Sequence, residues 1–278
     1  MPMARLYLVP TPIGNMDDIT LRAVKVLSSV DVILAEDTRT SQVLLKHLGI
    51  EKKMWSHHKF NEHAAVEAVA QTIVGGQNIA LISDAGTPGI SDPGFLLVRT
   101  CIEHGIDVET LPGATAFVPA LIDSGFPCDR FCFEGFLPPK KGRSRRLQQL
   151  ADEERTMIFY EAPHHLKKTL QELAAVLGDR KITLCRELTK RFETVMPTTI
   201  FAATDYFETN DPRGEYVLVI EGKSYEEKKQ EAQKNWLEMP VEEHVALYES
   251  QGFDRKEAMK KAAKDRGVSK RDIYQSLL

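Results

Sequence analysis

Long hydrophobic runs are absent from this sequence of 278 residues. None of them approaches the roughly 18 consecutive apolar residues that a transmembrane helix requires, so we expect no membrane partner. The first residues, Met-Pro-Met-Ala-Arg, also lack the apolar core of a secretory signal. Together these absences predict a soluble protein of the cytoplasm.

Cysteine is scarce, with only Cys101, Cys128, Cys132 and Cys185. The pair Cys128-x-x-x-Cys132 has neither a second pair nor a neighbouring histidine that would complete a zinc site. We therefore predict that no metal is bound. We also expect the four thiols to be reduced and to lie in the core, as is usual in the cytoplasm.

Net charge is low as well. The sequence has 36 Lys and Arg residues against 40 Asp and Glu residues, which gives a formal net charge of −4. The chain as a whole is therefore not a polycation, and any contact with a nucleic acid must come from local basic patches.

Apolar segments with strand character alternate with helical patterns along most of the chain. The predicted strands are 6–10, 31–36, 79–83, 107–111, 131–136, 156–160, 182–186 and 216–220. This alternation predicts an α/β protein with two sheets. A Ser-Gly-Phe-Pro break near residue 125 and a change to charged helical sequence near residue 223 predict domains at 1–124 and 125–222 and a small helical tail at 223–278.

Three loops rich in glycine and proline follow predicted strands, at 10–18, 83–94 and 111–116. Glycine permits close approach of the backbone to a ligand, and proline limits the freedom that a loop loses on binding. The first loop has neither the G-x-G-x-x-G pattern of dinucleotide sites nor the Gly-Lys-Ser/Thr of a P-loop. Because ligands in α/β sheets bind beyond the carboxyl ends of strands, the three loops predict one shared pocket. Ordinary strand-to-helix turns remain the alternative.

Basic residues are concentrated in two places. Segment 138–146 reads Pro-Pro-Lys-Lys-Gly-Arg-Ser-Arg-Arg and contains no acidic residue, which favours a polyanionic partner such as nucleic acid. A solvated loop leading into a helix is the alternative. Residues 252–278 resemble a helix-turn-helix and could contact phosphates, although a solvated helical hairpin fits this pattern equally well.

Several ordered motifs closely resemble the RNA-modifying branch of the tetrapyrrole methylase family. They lie at Leu8–Arg22, Ala35–Thr40, Ser83–Gly94, Leu111–Ala114, Phe133–Gly142, Phe159–Pro163, Arg186–Lys190 and Gly214–Glu221. The Gly-Asp-Pro of tetrapyrrole-modifying relatives is replaced here by Gly86-Thr87-Pro88. This difference favours the RNA branch.

The resemblance implies a two-domain fold with the cofactor in the cleft between the domains, and S-adenosylmethionine as that cofactor. It implies 2′-O-methylation of a cytidine ribose in the decoding centre of 16S rRNA, on free rRNA or on the small ribosomal subunit, and a homodimer. Carried over by position, the cofactor-binding residues are Ile13, Gly14, Ala85, Gly86, Thr87, Ile90, Thr115, Ala116, Tyr160 and Leu188. The expected RNA-binding residues are Arg39, Lys140, Lys141, Arg143, Arg145, Arg186 and Lys190.

A ribose hydroxyl is a weak nucleophile, so a general base would assist the transfer. Asp37 and Glu36 are the preferred candidates because they follow a predicted strand where this fold places its site, and Glu161 and Glu187 are alternatives. Asp37 equally suits a helix cap, with Arg39 as a simple ion-pair partner.

Two other functions remain open. A methyltransferase acting on a small tetrapyrrole-like acceptor would explain the three loops and leave the basic segment without a role. An RNA-binding module without catalysis would explain the basic segments and leave the three loops without a role.

Overall fold

The computed structural model describes residues 4–58 and 62–278. Ten strands form within them: β1 Arg5–Leu8, β2 Val32–Ala35, β3 Lys53–Ser56, β4 Ile79–Ile82, β5 Asp107–Thr110, β6 Phe131–Phe136, β7 Thr156–Glu161, β8 Lys181–Arg186, β9 Thr194–Thr199 and β10 Tyr216–Ile220. Twelve α-helices accompany them: α1 Leu21–Ser29, α2 Thr38–His47, α3 Glu62–Val74, α4 Phe95–Glu103, α5 Phe117–Ser124, α6 Arg143–Leu150, α7 Pro163–Leu177, α8 Ile200–Thr209, α9 Tyr225–Glu238, α10 Val241–Ser250, α11 Arg255–Arg266 and α12 Lys270–Ser276.

The first sheet is parallel throughout, in the order β3-β2-β4-β1-β5. Strands β2 and β4 read Val-Ile-Leu-Ala and Ile-Ala-Leu-Ile, and every residue in them is buried. Helices cover both faces of a parallel sheet, so its central strands are apolar without alternation. This order brings the carboxyl ends of β1, β4 and β5 side by side.

The second sheet is mixed, in the order β6-β7-β10-β8-β9, and only the β6–β7 pair is parallel. Its central strand β10, Tyr-Val-Leu-Val-Ile, is buried at every residue. One face of this sheet packs in a core with Phe159, Leu170 and Leu218, each at most 1% exposed. Full burial of such a side chain contributes roughly 1.5–3 kcal/mol.

The described chain separates into two compact units. The first runs to Ala151, resumes over Arg155–Glu221 and carries both sheets; the second contains Asp152–Glu154 and Gly222–Leu278. The domain limits predicted from the sequence, 1–124, 125–222 and 223–278, stay a proposal.

The second unit is held together by a small core around a buried histidine. His244 stacks on Trp236 with ring centroids 4.1 Å apart, and Arg266 Nε donates to His244 Nδ1 at 3.1 Å. Burial of the imidazole lowers the pKa of His244, with the positive charge of Arg266 acting in the same direction. Helices α11 and α12 are joined at Gly267, which has φ +66°, so the predicted pair of helices with a turn between them is present, and the helix-turn-helix interpretation stays a prediction.

The predicted fold class is confirmed, and all eight predicted strands are present. Strands β3 and β9 were not predicted from the sequence. The prediction that all four cysteines lie in the core was wrong. Cys101 and Cys185 are buried, but Cys128 is exposed. Among the described residues, no helix is long and apolar enough to cross a membrane.

Replacing Gly94 with alanine tests how tightly the loop after β4 packs on the first sheet. Gly94 has φ +141°, and a Cβ there would lie 2.9 Å from Leu81 Cδ2 in the core. We expect a loss of about 3 kcal/mol in the free energy of unfolding, from backbone strain plus overpacking. Urea denaturation measures this change in the free energy of unfolding. In the control Gly105→Ala, φ is +68° with open space around the site, and about 1 kcal/mol is expected. Equal losses would contradict the packing argument.

Candidate active site

The three predicted ligand loops are joined to one another by hydrogen bonds. Thr11 N donates to Gly86 O at 2.9 Å, and Gly86 N donates to Thr11 O at 3.0 Å. Thr87 Oγ1 donates to Ala114 O at 3.0 Å. The loops after β1, β4 and β5 therefore form a single structure at the carboxyl edge of the first sheet.

Gly86 lies where the three loops meet. It has φ +86°, and a Cβ there would meet Ile13 Cγ2 at 3.4 Å and Ala114 O at 3.7 Å. The left-handed backbone at this position favours glycine. The absence of a side chain also keeps backbone atoms accessible to a ligand.

A cavity of about 360 Å³, here called the first cavity, lies against these loops and against the end of the second sheet. This volume lies in the range of small-molecule sites. Nine of the ten residues predicted to bind the cofactor line it: Ile13, Ala85, Gly86, Thr87, Ile90, Thr115, Ala116, Tyr160 and Leu188. Gly14 lines an adjoining second cavity instead. The structure therefore brings the set together, and its role in cofactor binding stays a prediction.

Aromatic rings form one wall of the first cavity. Tyr160 lies in edge contact with Phe133 and Phe136, at centroid distances of 5.0 and 5.6 Å. Burial raises the pKa of Tyr160 to about 12, although backbone N–H groups of Phe117 and Ala116 bond to its hydroxyl. The hydroxyl is therefore neutral and fixed, and the exposed ring of Phe136 offers a flat surface to a planar ligand.

Six carboxyl groups line the first cavity, and three of them follow strands of the first sheet: Glu36, Asp84 and Asp92. Burial raises the pKa of Asp92 to about 7, with the charges of Glu36 and Asp84 adding to the effect. Burial and Asp84 likewise raise the pKa of Glu36. The cavity thus has a strongly negative potential that suits a cationic ligand, and it holds a carboxyl that titrates near neutral pH.

Asp37 lies outside the lining of the first cavity and is fully engaged elsewhere. It caps α2 by accepting from Arg39 N at 2.8 Å, and its carboxylate accepts from Arg39 Nε and Nη2 at 3.1 and 2.7 Å. These bonds lower the pKa of Asp37 to about 2. Such a weakly basic carboxylate does not fit the catalytic role predicted for it, and Glu36 alone of that pair faces the cavity.

Strained backbone is concentrated at the same place. Among the described residues, only Ser91, Glu187 and Thr189 are non-glycine residues with positive φ. Ser91 and Glu187 line the first cavity. Backbone strain of this kind is maintained where a site requires a particular side-chain direction.

Six of the seven predicted RNA contacts fall into two groups. Lys140, Lys141, Arg145 and Arg39 are exposed, and the Arg39 side chain is 90% exposed while paired with Asp37. Lys190 is half-buried between Glu187 and Glu215, at 3.1 and 2.8 Å, and Arg186 donates from Nε to Arg213 O at 2.7 Å. The first group presents its charge to solvent, and in the second Lys190 lines the first cavity.

Arg143 does not fit the role predicted for it. Its Nε donates to Glu172 at 2.6 Å and its Nη2 to Thr169 Oγ1 at 2.6 Å, and the residue is only 8% exposed. Thr169 in turn donates to Glu161, which lines the first cavity. Arg143 is therefore an internal tie between α6, α7 and the cavity wall and has no free face for a phosphate.

Asp84 and Asp92 were missed as site residues by the sequence analysis. Gly94 occupies the N-cap of α4, and Asp92 lines the cavity. The sequence signal that could have identified them is the presence of two aspartates within one glycine-rich loop. Within residues 4–58 and 62–278, no group of His, Cys, Asp and Glu is arranged to hold a metal ion.

Arg143→Gln should lower the free energy of unfolding by about 2–3 kcal/mol, because it leaves Glu172 without its charged hydrogen-bond partner in a partly buried place. Arg145→Gln, two residues along the same helix and exposed, should change it by less than about 0.5 kcal/mol. Urea denaturation compares the two. Similar values for both variants would remove the structural role assigned to Arg143.

The model of the tetrapyrrole (corrin/porphyrin) methylases matches residues 5–204. A solved structure of cobalt precorrin-4 methyltransferase aligns with a TM-score of 0.56 over 78% of this chain and 94% of that chain, at 19% identity. This structural likeness concerns the fold.

Curated relatives are much more similar in sequence. The ribosomal RNA small subunit methyltransferase I of Halalkalibacterium halodurans is 44% identical over 97% of this chain and 93% of its own length. The protein of that name from Bacillus subtilis is 46% identical over 98% of this chain and 93% of its own length. The chain therefore belongs to the ribosomal RNA small subunit methyltransferase I family, within the tetrapyrrole methylases.

Proposed function

We propose that this protein transfers a methyl group from S-adenosylmethionine to the ribose 2′-hydroxyl of a cytidine in the decoding centre of 16S rRNA. The observation that carries the proposal is the first cavity, where loops from the first sheet meet aromatic and acidic side chains. We further propose that it acts in the cytoplasm as a homodimer, as the resemblance implies.

The residues of the first cavity fit this cofactor. Gly86 and Ala85 offer close backbone approach, the ring of Phe136 suits an adenine face, and the carboxylates of Glu36 and Asp92 suit a positive sulfur. When bound, S-adenosylmethionine supplies a methyl group on a sulfonium whose departure leaves a neutral thioether. Such an in-line displacement depends chiefly on alignment and on exclusion of water.

Glu36 is the proposed general base. It faces the first cavity, and its pKa is raised by burial and by Asp84, which makes it a better proton acceptor than Asp37. The ribose oxygen forms a bond to the methyl carbon as its proton passes to the Glu36 carboxylate. Asp92 sets the charge around that carboxylate.

Lys140, Lys141, Arg145 and Arg39 are the proposed contacts for RNA phosphates because they are exposed cations. Their attraction acts without regard to sequence, so the chosen nucleotide must be selected elsewhere.

Transfer of tritium from labelled S-adenosylmethionine tests the proposed function. Small ribosomal subunits that lack the modification and naked 16S rRNA serve as parallel substrates, followed by nucleoside analysis. We expect label in 2′-O-methylcytidine. Label in another nucleoside would overturn the assignment of the acceptor. No label from protein that binds S-adenosylmethionine would favour a small-molecule acceptor.

The pH dependence of transfer distinguishes Glu36 from Asp92. Ionisation of Asp92 near pH 7 adds negative charge beside Glu36 and strengthens it as a base, so kcat should rise as the pH rises through about 7. Glu36→Gln should lower kcat by about 100-fold, the lower range for loss of a general base.

Asp92→Asn should remove the step near pH 7 and retain most of the activity. Asp37→Asn is the control, and its kcat should stay close to that of the unsubstituted protein. A loss in Asp92→Asn as large as that in Glu36→Gln would instead identify Asp92 as the base.

A further inference from the structure

The loop between β8 and β9, residues 187–193, forms part of the wall of both cavities. Glu187 and Leu188 line the first cavity, and Lys190 lines both. Leu188 is 6% exposed and belongs to a buried core against which Ile13, from the loop after β1, also packs. A loop of the second sheet therefore meets a loop of the first sheet here, and its position shapes the first cavity.

The backbone of the β8–β9 loop is strained on both sides of Leu188. Glu187 has φ +52° and Thr189 has φ +66°. A β-branched residue such as threonine rarely adopts a positive φ, whereas glycine adopts it readily. We therefore expect the Thr189 side chain to offset this strain through a contact that glycine could not make.

That contact is a hydrogen bond from the loop after β1. Asn15 N donates to Thr189 Oγ1 at 3.1 Å. Beside it, a Cβ on Gly14 would lie 2.8 Å from Thr189 Oγ1, 3.3 Å from Leu188 O and closer still to the stem of Lys190. The absence of a side chain at Gly14 thus leaves space for the β8–β9 loop. This accounts for a glycine that was predicted to bind the cofactor and does not line the first cavity.

Other hydrogen bonds hold the β8–β9 loop within the second sheet. The Glu187 carboxylate accepts from Glu215 N at 2.9 Å and from Lys190 Nζ at 3.1 Å, and the Glu193 carboxylate accepts from Thr189 N. These bonds fix the conformation of the loop. The bond from Asn15 to Thr189 differs from them because it joins this loop to the first sheet.

We propose that Thr189 is a positioning residue for the cofactor: through its hydrogen bond with Asn15 N it holds Leu188 in the position that binds S-adenosylmethionine. This inference rests on the proposed function. Thr189 lines neither cavity, so it acts through Leu188 and does not touch the cofactor. Without the bond, the strain at Thr189 would be relieved by movement of the β8–β9 loop away from the loop after β1.

Three substitutions at Thr189 test the proposal. Thr189→Val keeps the shape and removes the hydroxyl, Thr189→Gly removes the hydroxyl and the strain, and Thr189→Ser keeps the hydroxyl. We expect the dissociation constant for S-adenosylhomocysteine, measured by calorimetry, to rise about 10-fold in the first two variants and less than about 3-fold in Thr189→Ser. The melting temperature of Thr189→Gly should stay close to that of the unsubstituted protein, because glycine accepts the positive φ.

Steady-state kinetics give a readout that a loss of stability would not move. In Thr189→Val, KM for S-adenosylmethionine should rise about 10-fold, while kcat at saturating cofactor and KM for small subunits stay nearly constant. Thr199→Val is the matched control. The Thr199 hydroxyl likewise accepts a backbone N–H, from Ala202 at 3.3 Å, and Thr199 lines neither cavity. This variant should have a lower melting temperature and an unchanged KM for the cofactor.

Gly14→Ala tests the same contact from the loop after β1. The added Cβ should displace the β8–β9 loop and weaken binding of S-adenosylhomocysteine. Because Thr189→Gly removes one of the atoms that this Cβ would meet, the double variant should bind no more weakly than Gly14→Ala alone. Fully additive losses would show that the two residues act independently and would contradict the proposal.

The possible results separate the positioning role from the function beneath it. Unchanged affinity for S-adenosylhomocysteine in Thr189→Val and Thr189→Gly would overturn the positioning role and leave the methyltransferase assignment intact. Equal losses in Thr189→Ser and Thr189→Val would also overturn it, because the hydroxyl would then not be the group that acts. Absence of binding by the unsubstituted protein would overturn the proposed function and this inference with it.

Discussion

The backbone pairing of Thr11 with Gly86 is the interaction on which the site depends. Two reciprocal hydrogen bonds join the loop after β1 to the loop after β4, and the Thr87 hydroxyl extends the connection to the loop after β5. Each loop has little regular structure and would be mobile by itself. Joined, they form a rigid edge against which both cavities are built, and neither cavity would keep its shape without it.

Charges of opposite sign are concentrated at different places in this protein. The acidic residues Glu36, Asp84 and Asp92 lie together in the first cavity, while the exposed cations of segment 138–146 lie at the surface. A nearly neutral chain can therefore offer a negative environment to a small cation and a positive one to a polyanion. The total charge of −4 reveals neither.

The sequence predicted the buried strands well because short continuous apolar runs such as those of β2 and β4 are typical of strands in a parallel sheet. It failed at β3 and β9, which lie at sheet edges and are largely exposed. Pro197 within β9 also argued against a strand, since proline cannot donate to a sheet ladder. Edge position by itself does not explain the failure, because β5 and β6 are also edge strands and were predicted.

The site was predictable in outline for a related reason. Glycine-rich loops after strands identify where a ligand lies, but adjacent carboxylates such as Glu36 and Asp37 look alike in a sequence. Hydrogen bonds from Arg39 separate them in the structure.

The buried tie from Arg143 has a mechanical consequence. The Thr169 hydroxyl has a single proton, which it gives to Glu161, and its oxygen is occupied by the Arg143 guanidinium. Neither end can rotate away without breaking a bond to a charged group. The start of α6, directly after the exposed lysines, is thus tied through Arg143 and Thr169 to Glu161 in the wall of the first cavity.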